Sequence, residues 1–168
     1  MGSILTESDL VSAVARDRAA GRTVAFANGC FDLLHVGHVR YLQAARALGD
    51  CLIVGLNSDG SARALKGERH PIVPQAERAE MLAALACVDH VLLFDELTAE
   101  HVVATLRPEV YVKGGDYGRG AGAVFPPEAA LVESYGGSVH FIPTVTGKST
   151  TNIVAEILRR HAPAGPAA

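Results

Sequence analysis

Short apolar segments alternate with amphipathic segments along this chain. The apolar segments are too short for typical helices, so each predicts a buried strand. They lie at 23–27, 51–56, 88–94, 110–112 and 138–142. Elsewhere apolar residues recur at helical spacing. Helices are therefore predicted from residue 6 to about 21 and over 39–48, 75–86, 98–106, 127–135 and 150–160, whereas 57–75 is predicted to be a polar loop.

This alternation predicts an α/β fold, a Rossmann-like, doubly wound, five-stranded parallel sheet with helices on both faces. The 168 residues suit a single domain, which we assign to 1–161. Residues 162–168 are only Ala, Pro and Gly and are expected to form a disordered tail. In such folds ligands bind beyond the carboxyl ends of the strands, where the strand order reverses.

Composition excludes several classes of function. The net charge of -3 gives no basic surface for nucleic acid, and no apolar run approaches the length of a membrane span. We therefore expect neither nucleic acid nor membrane as a partner. The three cysteines are scattered and form no C-x-x-C pair, which favours a reducing, cytoplasmic location.

The most informative stretch joins the first predicted strand to the next helix and reads N-G-C-F-D-L-L-H-V-G-H, from Asn28 to His38. A helix N-terminus offers free N–H groups and a positive dipole end to an anion, and Gly29 and Gly37 allow close approach of a phosphate. The imidazoles of His35 and His38 can donate hydrogen bonds to phosphoryl oxygens in a transition state. A zinc-binding His pair is the alternative. No Cys or carboxylate cluster elsewhere completes a ligand set, so no protein-held metal is predicted.

Two of the basic residues after the second predicted strand are candidates for binding phosphate. Lys66 lies in the predicted loop, which can fold over the turn and bring a cation to phosphates. Arg78 falls in the first turn of a predicted helix, where a cation needs an anionic partner. A phosphate would supply that partner, and so would a neighbouring glutamate.

Two further polar stretches follow strands near the end of the chain. Lys113-Gly114-Gly115-Asp116-Tyr117 permits a tight turn against a flat ligand, with the carboxylate accepting from a sugar hydroxyl; a plain turn is the alternative. The stretch 147–151, G-K-S-T-T, is similar to the end of a P-loop, but position 142 is Ile where that motif needs Gly. The remaining interpretation is an anion site at a helix N-terminus, formed by Ser149, Thr150 and Thr151.

Taken together, these stretches resemble the nucleotidyltransferase superfamily, whose signature is H-x-G-H. The runs V-K-G-G-D-Y and S-T-T resemble one branch, the D-glycero-β-D-manno-heptose 1-phosphate adenylyltransferases. The similarity extends from about residue 23 to 158. Two features depart from this pattern: His70 stands where the family has Arg, and 118–127 is unusually rich in Gly.

The resemblance implies roles for the candidate residues. His35, His38 and Lys66 would be catalytic, and Asp32 would orient the loop. The remaining candidates would bind the nucleotide: Asn28, Gly29, Phe31, Arg78, Lys113, Gly114, Gly115, Asp116, Tyr117, Ser149, Thr150 and Thr151.

The resemblance also implies the reaction and its partners. AMP would pass from ATP to a heptose 1-phosphate, giving ADP-heptose and pyrophosphate, with Mg²⁺ accompanying the nucleotide and a homodimer or higher homo-oligomer as the assembly. A cytidylyl- or guanylyltransferase acting on another sugar or polyol phosphate is the alternative within the same chemistry. A non-catalytic nucleotide-binding sensor is the alternative from another class. A class I aminoacyl-tRNA synthetase would need a longer chain and an RNA-binding surface.

Overall fold

The computed structural model describes residues 1–115, 117–119 and 122–161. Its strands are β1 (Ser3–Ile4), β2 (Val24–Gly29), β3 (Cys51–Asn57), β4 (His90–Phe94), β5 (Val110–Gly114) and β6 (Ser138–Ile142). Its helices are α1 (Glu7–Ala19), α2 (Val36–Arg46), α3 (Asp59–Lys66), α4 (Gln75–Ala83), α5 (Glu100–Leu106), α6 (Pro127–Ser134) and α7 (Thr150–His161).

All six strands belong to one parallel sheet, in the order β1-β4-β3-β2-β5-β6. Successive residues of β2 face opposite sides of the sheet, as the two-residue period of a strand requires. Phe26 packs into a core with residues of α1, α5 and α6. Ala25 and Ala27 pack into a second core with residues of α2 and α4. Helices therefore cover both faces, and the predicted doubly wound α/β fold is confirmed.

The strand order also locates the crevice for a ligand. The chain passes from β2 to β3 on one side, whereas β5 and β6 lie on the other side of β2. The order therefore reverses between β2 and β5, and a ligand is expected beyond the carboxyl ends of these two strands.

Two details of the predicted fold were wrong. The sheet has six strands rather than five, because β1 is only two residues long and too short for any periodic signal. Within the predicted loop 57–75, residues Asp59–Lys66 form α3. Its buried residues are Ser61 and Ala62, so it lacks a stripe of large apolar side chains. The predicted tail 162–168 lies outside the described residues. Within the described part of the chain, no helix has both the length and the apolar character needed to cross a membrane.

Candidate active site

The turn between β2 and α2 holds its backbone in an unusual conformation. Phe31 and Leu33 both have φ of 46°, in the left-handed region that residues other than glycine seldom adopt. Such conformations persist only where surrounding structure holds them, and they cluster at functional sites. The turn delivers His35 to the N-cap position of α2, where its Nδ1 accepts a hydrogen bond of 3.1 Å from the Gly37 N–H. Nδ1 is thus an acceptor, and the proton of the neutral ring resides on Nε2.

The two signature histidines are in direct contact. The rings of His35 and His38 stack with centroids 3.9 Å apart and planes 20° from parallel, and Phe31 packs edge-on against His38 at 5.4 Å. Burial, with smaller contributions from the nearby His35 and Lys66, lowers the pKa of His38 to about 4. Burial, followed by the charge of Lys148, also lowers the pKa of His35. Both rings are therefore neutral at pH 7 and can each donate one N–H.

A cavity of about 330 Å³ opens beside these rings, beyond the carboxyl ends of β2 and β5. The structure brings nine of the predicted site residues together around it: Phe31, His35, His38, Lys66, Gly114, Gly115, Ser149, Thr150 and Thr151. They come from four separate segments of the chain, so the clustering is a property of the fold. Lys66 reaches the cavity from the last residue of α3 rather than from a loop.

The charge around the cavity is positive. Lys66 and Lys148 are its charged lining residues, and no carboxylate occurs among the described residues that line it. Such a site attracts an anion. Its described residues offer hydroxyls but no carboxylate ligands for a hard cation such as Mg²⁺, so this donor set does not fit a magnesium ion held by the protein.

A larger groove of about 520 Å³ lies elsewhere, along β1 and β4. Its lining includes Glu7, Asp95 and Glu96. These carboxylates would repel a polyphosphate, so the smaller cavity is the better candidate for a nucleotide site.

Hydrogen bonds to Asp32 connect the turn to residues 72–73 and to the start of α7. Its buried carboxylate accepts hydrogen bonds from the N–H groups of Ile72 and Val73, at 2.9 and 3.0 Å. Burial alone would raise the pKa of Asp32, but these bonds, with a contact to His70, hold it below its usual value. Its backbone carbonyl accepts from the Thr150 hydroxyl at 2.8 Å. This geometry fits the role of orienting the loop.

Two hydroxyls at the start of α7 differ in what they can offer a ligand: Ser149 can donate a hydrogen bond, whereas Thr150 already donates its proton within the protein. Ser149 Oγ accepts from the Asn152 N–H at 3.1 Å, which leaves its own proton available to a ligand. The proton of Thr150 is already donated to Asp32, so this hydroxyl can only accept from a ligand.

A second group of predicted residues lies behind the cavity wall. The buried Asn28 Oδ1 accepts from Tyr111 Oη at 2.9 Å and from Lys113 Nζ at 3.0 Å. Lys113 Nζ also lies 4.8 Å from the centre of the Tyr117 ring. Burial lowers the pKa of Lys113.

Gly29 leaves room for the ring of Phe31, which a Cβ would approach to 3.3 Å. The structure therefore assigns Asn28 and Gly29 to supporting the site rather than lining the cavity, and predicted Asp116 lies outside the described residues.

Arg78 requires a correction. It was predicted as a possible phosphate ligand, but it has no exposed surface. Its guanidinium donates to the carbonyls of Cys30, Asn57 and Val73 at 2.5 to 3.0 Å, and to Asp59 Oδ1 at 2.7 Å. The anionic partner that a cation at this helix start needs is thus supplied by Asp59.

Tyr41 lines the cavity, and sequence reasoning gave it no role. Its ring fills the space that a Cβ at Gly114 would enter, at 3.0 Å, and its hydroxyl donates to the Val112 carbonyl at 2.7 Å. Burial raises its pKa. The available signal was spacing, because Tyr41 follows His38 by three positions and so lies on the same face of α2.

Comparison with known proteins gives a consistent assignment. The family described as cytidylyltransferase-like matches residues 26–156. The bifunctional protein HldE of Trichlorobacter lovleyi is 54% identical over 152 residues, which are 88% of this chain and 29% of that protein. The bifunctional protein HldE of Streptomyces coelicolor is 54% identical over 141 residues, 84% of this chain and 30% of that protein. The chain therefore spans less than a third of the length of these curated relatives.

A solved structure agrees in fold. The lipopolysaccharide core biosynthesis protein from Thermoplasma volcanium superposes with a TM-score of 0.58 at 28% sequence identity, covering 74% of this chain and 98% of that one.

Proposed function

This chain belongs to the cytidylyltransferase-like family, and on that premise we propose that it transfers AMP from ATP to D-glycero-β-D-manno-heptose 1-phosphate, giving ADP-heptose and pyrophosphate. The observation that carries the proposal is the stacked pair of neutral histidines beside Lys66 and Lys148 at one cavity. A site that only held a nucleotide would need cations. It would not need two stacked imidazole donors. The partial burial of these rings lowers their pKa and so keeps them neutral.

The reaction is an in-line displacement. An oxygen of the sugar phosphate attacks the α-phosphorus of the nucleotide, a new O–P bond forms, and the bond from the α-phosphorus to the bridging oxygen of pyrophosphate breaks. A phosphate monoester dianion is already a nucleophile at neutral pH, so no general base is required. Catalysis comes from positioning and from stabilising the charge that develops on the phosphoryl oxygens.

The chain's own groups fit these two tasks. His35 and His38, whose lowered pKa values keep both rings neutral at pH 7, donate N–H bonds to oxygens of the α-phosphate. Lys66 and Lys148 neutralise charge on the nucleotide and on the attacking phosphate. The free proton of Ser149 and the first N–H groups of α7 bind phosphate oxygens. Magnesium enters as part of the nucleotide substrate, since the lining residues that the structure describes supply no carboxylate for it.

The choice of substrates rests on resemblance. V-K-G-G-D-Y and S-T-T support the heptose branch, and relatives 54% identical are bifunctional HldE proteins. A cytidylyl- or guanylyltransferase acting on another sugar or polyol phosphate is the second candidate, favoured by the name of the matching family.

One assay separates these candidates. Pyrophosphate release is measured with magnesium, crossing ATP, CTP and GTP against heptose 1-phosphate, glycerol 3-phosphate and a hexose 1-phosphate. Release with ATP and heptose 1-phosphate alone is the expected result. Release confined to CTP or GTP would overturn the nucleotide assignment and keep the mechanism. No release, with measurable nucleotide binding, would favour a nucleotide-binding sensor.

Assembly and location are further parts of the proposal. We propose a homodimer or higher homo-oligomer in the cytoplasm. On α7, Ile157 and Leu158 are 51% and 65% exposed, which supports an apolar contact between copies. The three cysteines are unpaired, which fits a reducing compartment. Light scattering after size-exclusion chromatography, on wild type and on Leu158→Glu, tests the assembly.

A further inference from the structure

Three potential metal ligands meet at the end of the sheet opposite the candidate active site. Asp17 lies in the last turn of α1, and Cys51 and His90 are the first residues of β3 and β4. One ligand atom from each side chain lies within 4.8 Å of the other two. Because strands β3 and β4 are parallel neighbours, their amino ends bring Cys51 and His90 together, and the end of α1 supplies the carboxylate.

We propose that Asp17, Cys51 and His90 form a binding site for a zinc ion. Zn²⁺ takes thiolate, imidazole and carboxylate ligands in tetrahedral sites, whereas Mg²⁺ prefers oxygen ligands only. Three protein ligands leave one position for water. A modest inward shift of the side chains brings ligand atoms at this separation to the distances around a single zinc ion.

The state of these side chains suits a ligand. Cys51 is 1% exposed, and His90 Nδ1 is a buried polar atom with no hydrogen-bond partner among the described residues. A buried polar atom without a partner costs free energy, which a bound metal or another partner would recover. The Cys51 sulfur and a carboxylate oxygen of Asp17 lie within 4.8 Å of each other, so thiol and carboxylate are already neighbours.

The surrounding charges balance at this site. Asp17 Oδ1 also pairs with Arg22 at 2.7 Å, so zinc would take the other carboxylate oxygen. Asp89 offsets the charge of Arg22, and it is engaged by the Leu52 N–H and by Arg46. Zinc binding displaces the proton of the Cys51 thiol, and Zn²⁺ with one thiolate and one carboxylate is then neutral overall. Because two positive charges enter and one proton leaves, the net charge at this end of the sheet rises by one.

The position separates this ion from the candidate catalytic residues. The histidines of the candidate active site follow the carboxyl end of β2, whereas this site lies at the amino ends of β3 and β4. A zinc ion here would join the end of α1 to two strands and so stabilise the folded chain by mass action.

Cobalt provides a direct test on the full chain. Metal-free protein is titrated with Co²⁺, whose tetrahedral thiolate complexes have a near-ultraviolet charge-transfer band. We expect one Co²⁺ per chain, with a band that Zn²⁺ displaces and that Cys51→Ser abolishes. Cys87→Ser is the matched control at a cysteine outside the cluster, and Cys30→Ser controls for binding near His35 and His38. Both should retain the band.

Thermal unfolding supplies an independent readout. At a free zinc concentration about 100 times Kd, Tm should rise by roughly 5 to 10 °C in the wild type. Asp17→Asn and His90→Gln should each weaken zinc binding at least about tenfold, since even outer groups of zinc sites have effects of that size. If Cys51→Ser fails to fold, these two variants carry the test.

Two results would overturn the proposal. One is a wild-type chain that gives no thiolate band and no zinc-dependent change in Tm. The other is a band that persists in Cys51→Ser and disappears in Cys30→Ser, which would place the metal at the signature turn. Neither readout depends on transferase activity.

Discussion

The hydroxyl of Thr150 donates a hydrogen bond of 2.8 Å to the backbone carbonyl of Asp32, although the two residues are far apart in the chain. This bond joins the start of α7 to the turn that carries His35 and His38. The same turn is held from another side by the bonds from Ile72 and Val73 to the Asp32 carboxylate. The positions of the histidines and of the hydroxyls at 149–151 are therefore set relative to one another by Asp32.

Thr150→Val should loosen this connection. Loss of the bond should lower the free energy of unfolding by about 1 kcal/mol, and KM for the nucleotide should rise because Lys148 and Ser149 are no longer held in place. Thr150→Ser keeps the hydroxyl and serves as the matched control. Urea unfolding and steady-state kinetics measure both effects. Wild-type stability in Thr150→Val would contradict the assigned role of this bond.

His35→Ala and His38→Ala should each reduce turnover by about a hundredfold or more, the scale of removing a hydrogen-bond donor from a transition state. His101→Ala is the control, because this exposed histidine pairs with Glu7 outside the cavity. Pyrophosphate release at saturating substrates is the measurement. Unchanged turnover in both active-site variants would refute their catalytic assignment.

The stability of the protein should depend on pH through His38. Its pKa is about 4 in the folded chain, below the ordinary 6.5, so the unfolded chain binds the proton more readily. Stability is therefore fully present above pH 6.5 and is lost as pH falls from 6.5 towards 4. Between pH 7 and pH 5 the loss from this group should be about 2 kcal/mol. The pKa of His35 and of His90 is also lowered, so each adds a loss in the same direction.

Urea unfolding of the wild type and of His38→Asn at the two pH values isolates this contribution. The variant should lose about 2 kcal/mol less than the wild type on acidification. His101→Asn, at an exposed histidine, should behave like the wild type. Equal losses in His38→Asn and the wild type would show that His38 is not held neutral by its surroundings.

Local patterns predicted the parallel sheet, the turn at 28–38 and nine of the residues that meet at the cavity. These features depend on neighbours in sequence or on the rule that parallel strands present their carboxyl ends at one edge. The roles of Asn28 and Arg78 depend on partners that lie far away in the chain, so no spacing could reveal them. β1 and α3 were missed for another reason, since neither has enough buried apolar residues to produce a period.

Arg78 shows the consequence of such long-range partners. Arg78→Lys should lower the free energy of unfolding by about 3 kcal/mol or more, because a lysine cannot serve three carbonyls and Asp59 at once and leaves buried groups unpaired. KM for the nucleotide should remain unchanged in the folded fraction at low temperature. Arg63→Lys, on the neighbouring α3, is the control. A large rise in KM with wild-type stability would restore the role of phosphate ligand.

Gly37 makes room for the catalytic histidine. A Cβ at this position would lie 2.8 Å from His35 Cε1, 2.9 Å from His35 Nδ1 and 3.3 Å from the Lys148 carbonyl. Gly37→Ala should therefore push the His35 ring off the Gly37 N–H and out of its stack with His38. Turnover should fall about as far as in His35→Ala, roughly a hundredfold, whereas the helix itself should tolerate alanine.

Gly60→Ala is the matched control, since a Cβ there meets only the Ser58 hydroxyl at 3.8 Å. Because both changes act through one ring, the double variant His35→Ala/Gly37→Ala should be no slower than His35→Ala alone. Losses that add in the double variant would show that Gly37 acts through another contact, such as the approach of a phosphate to the backbone.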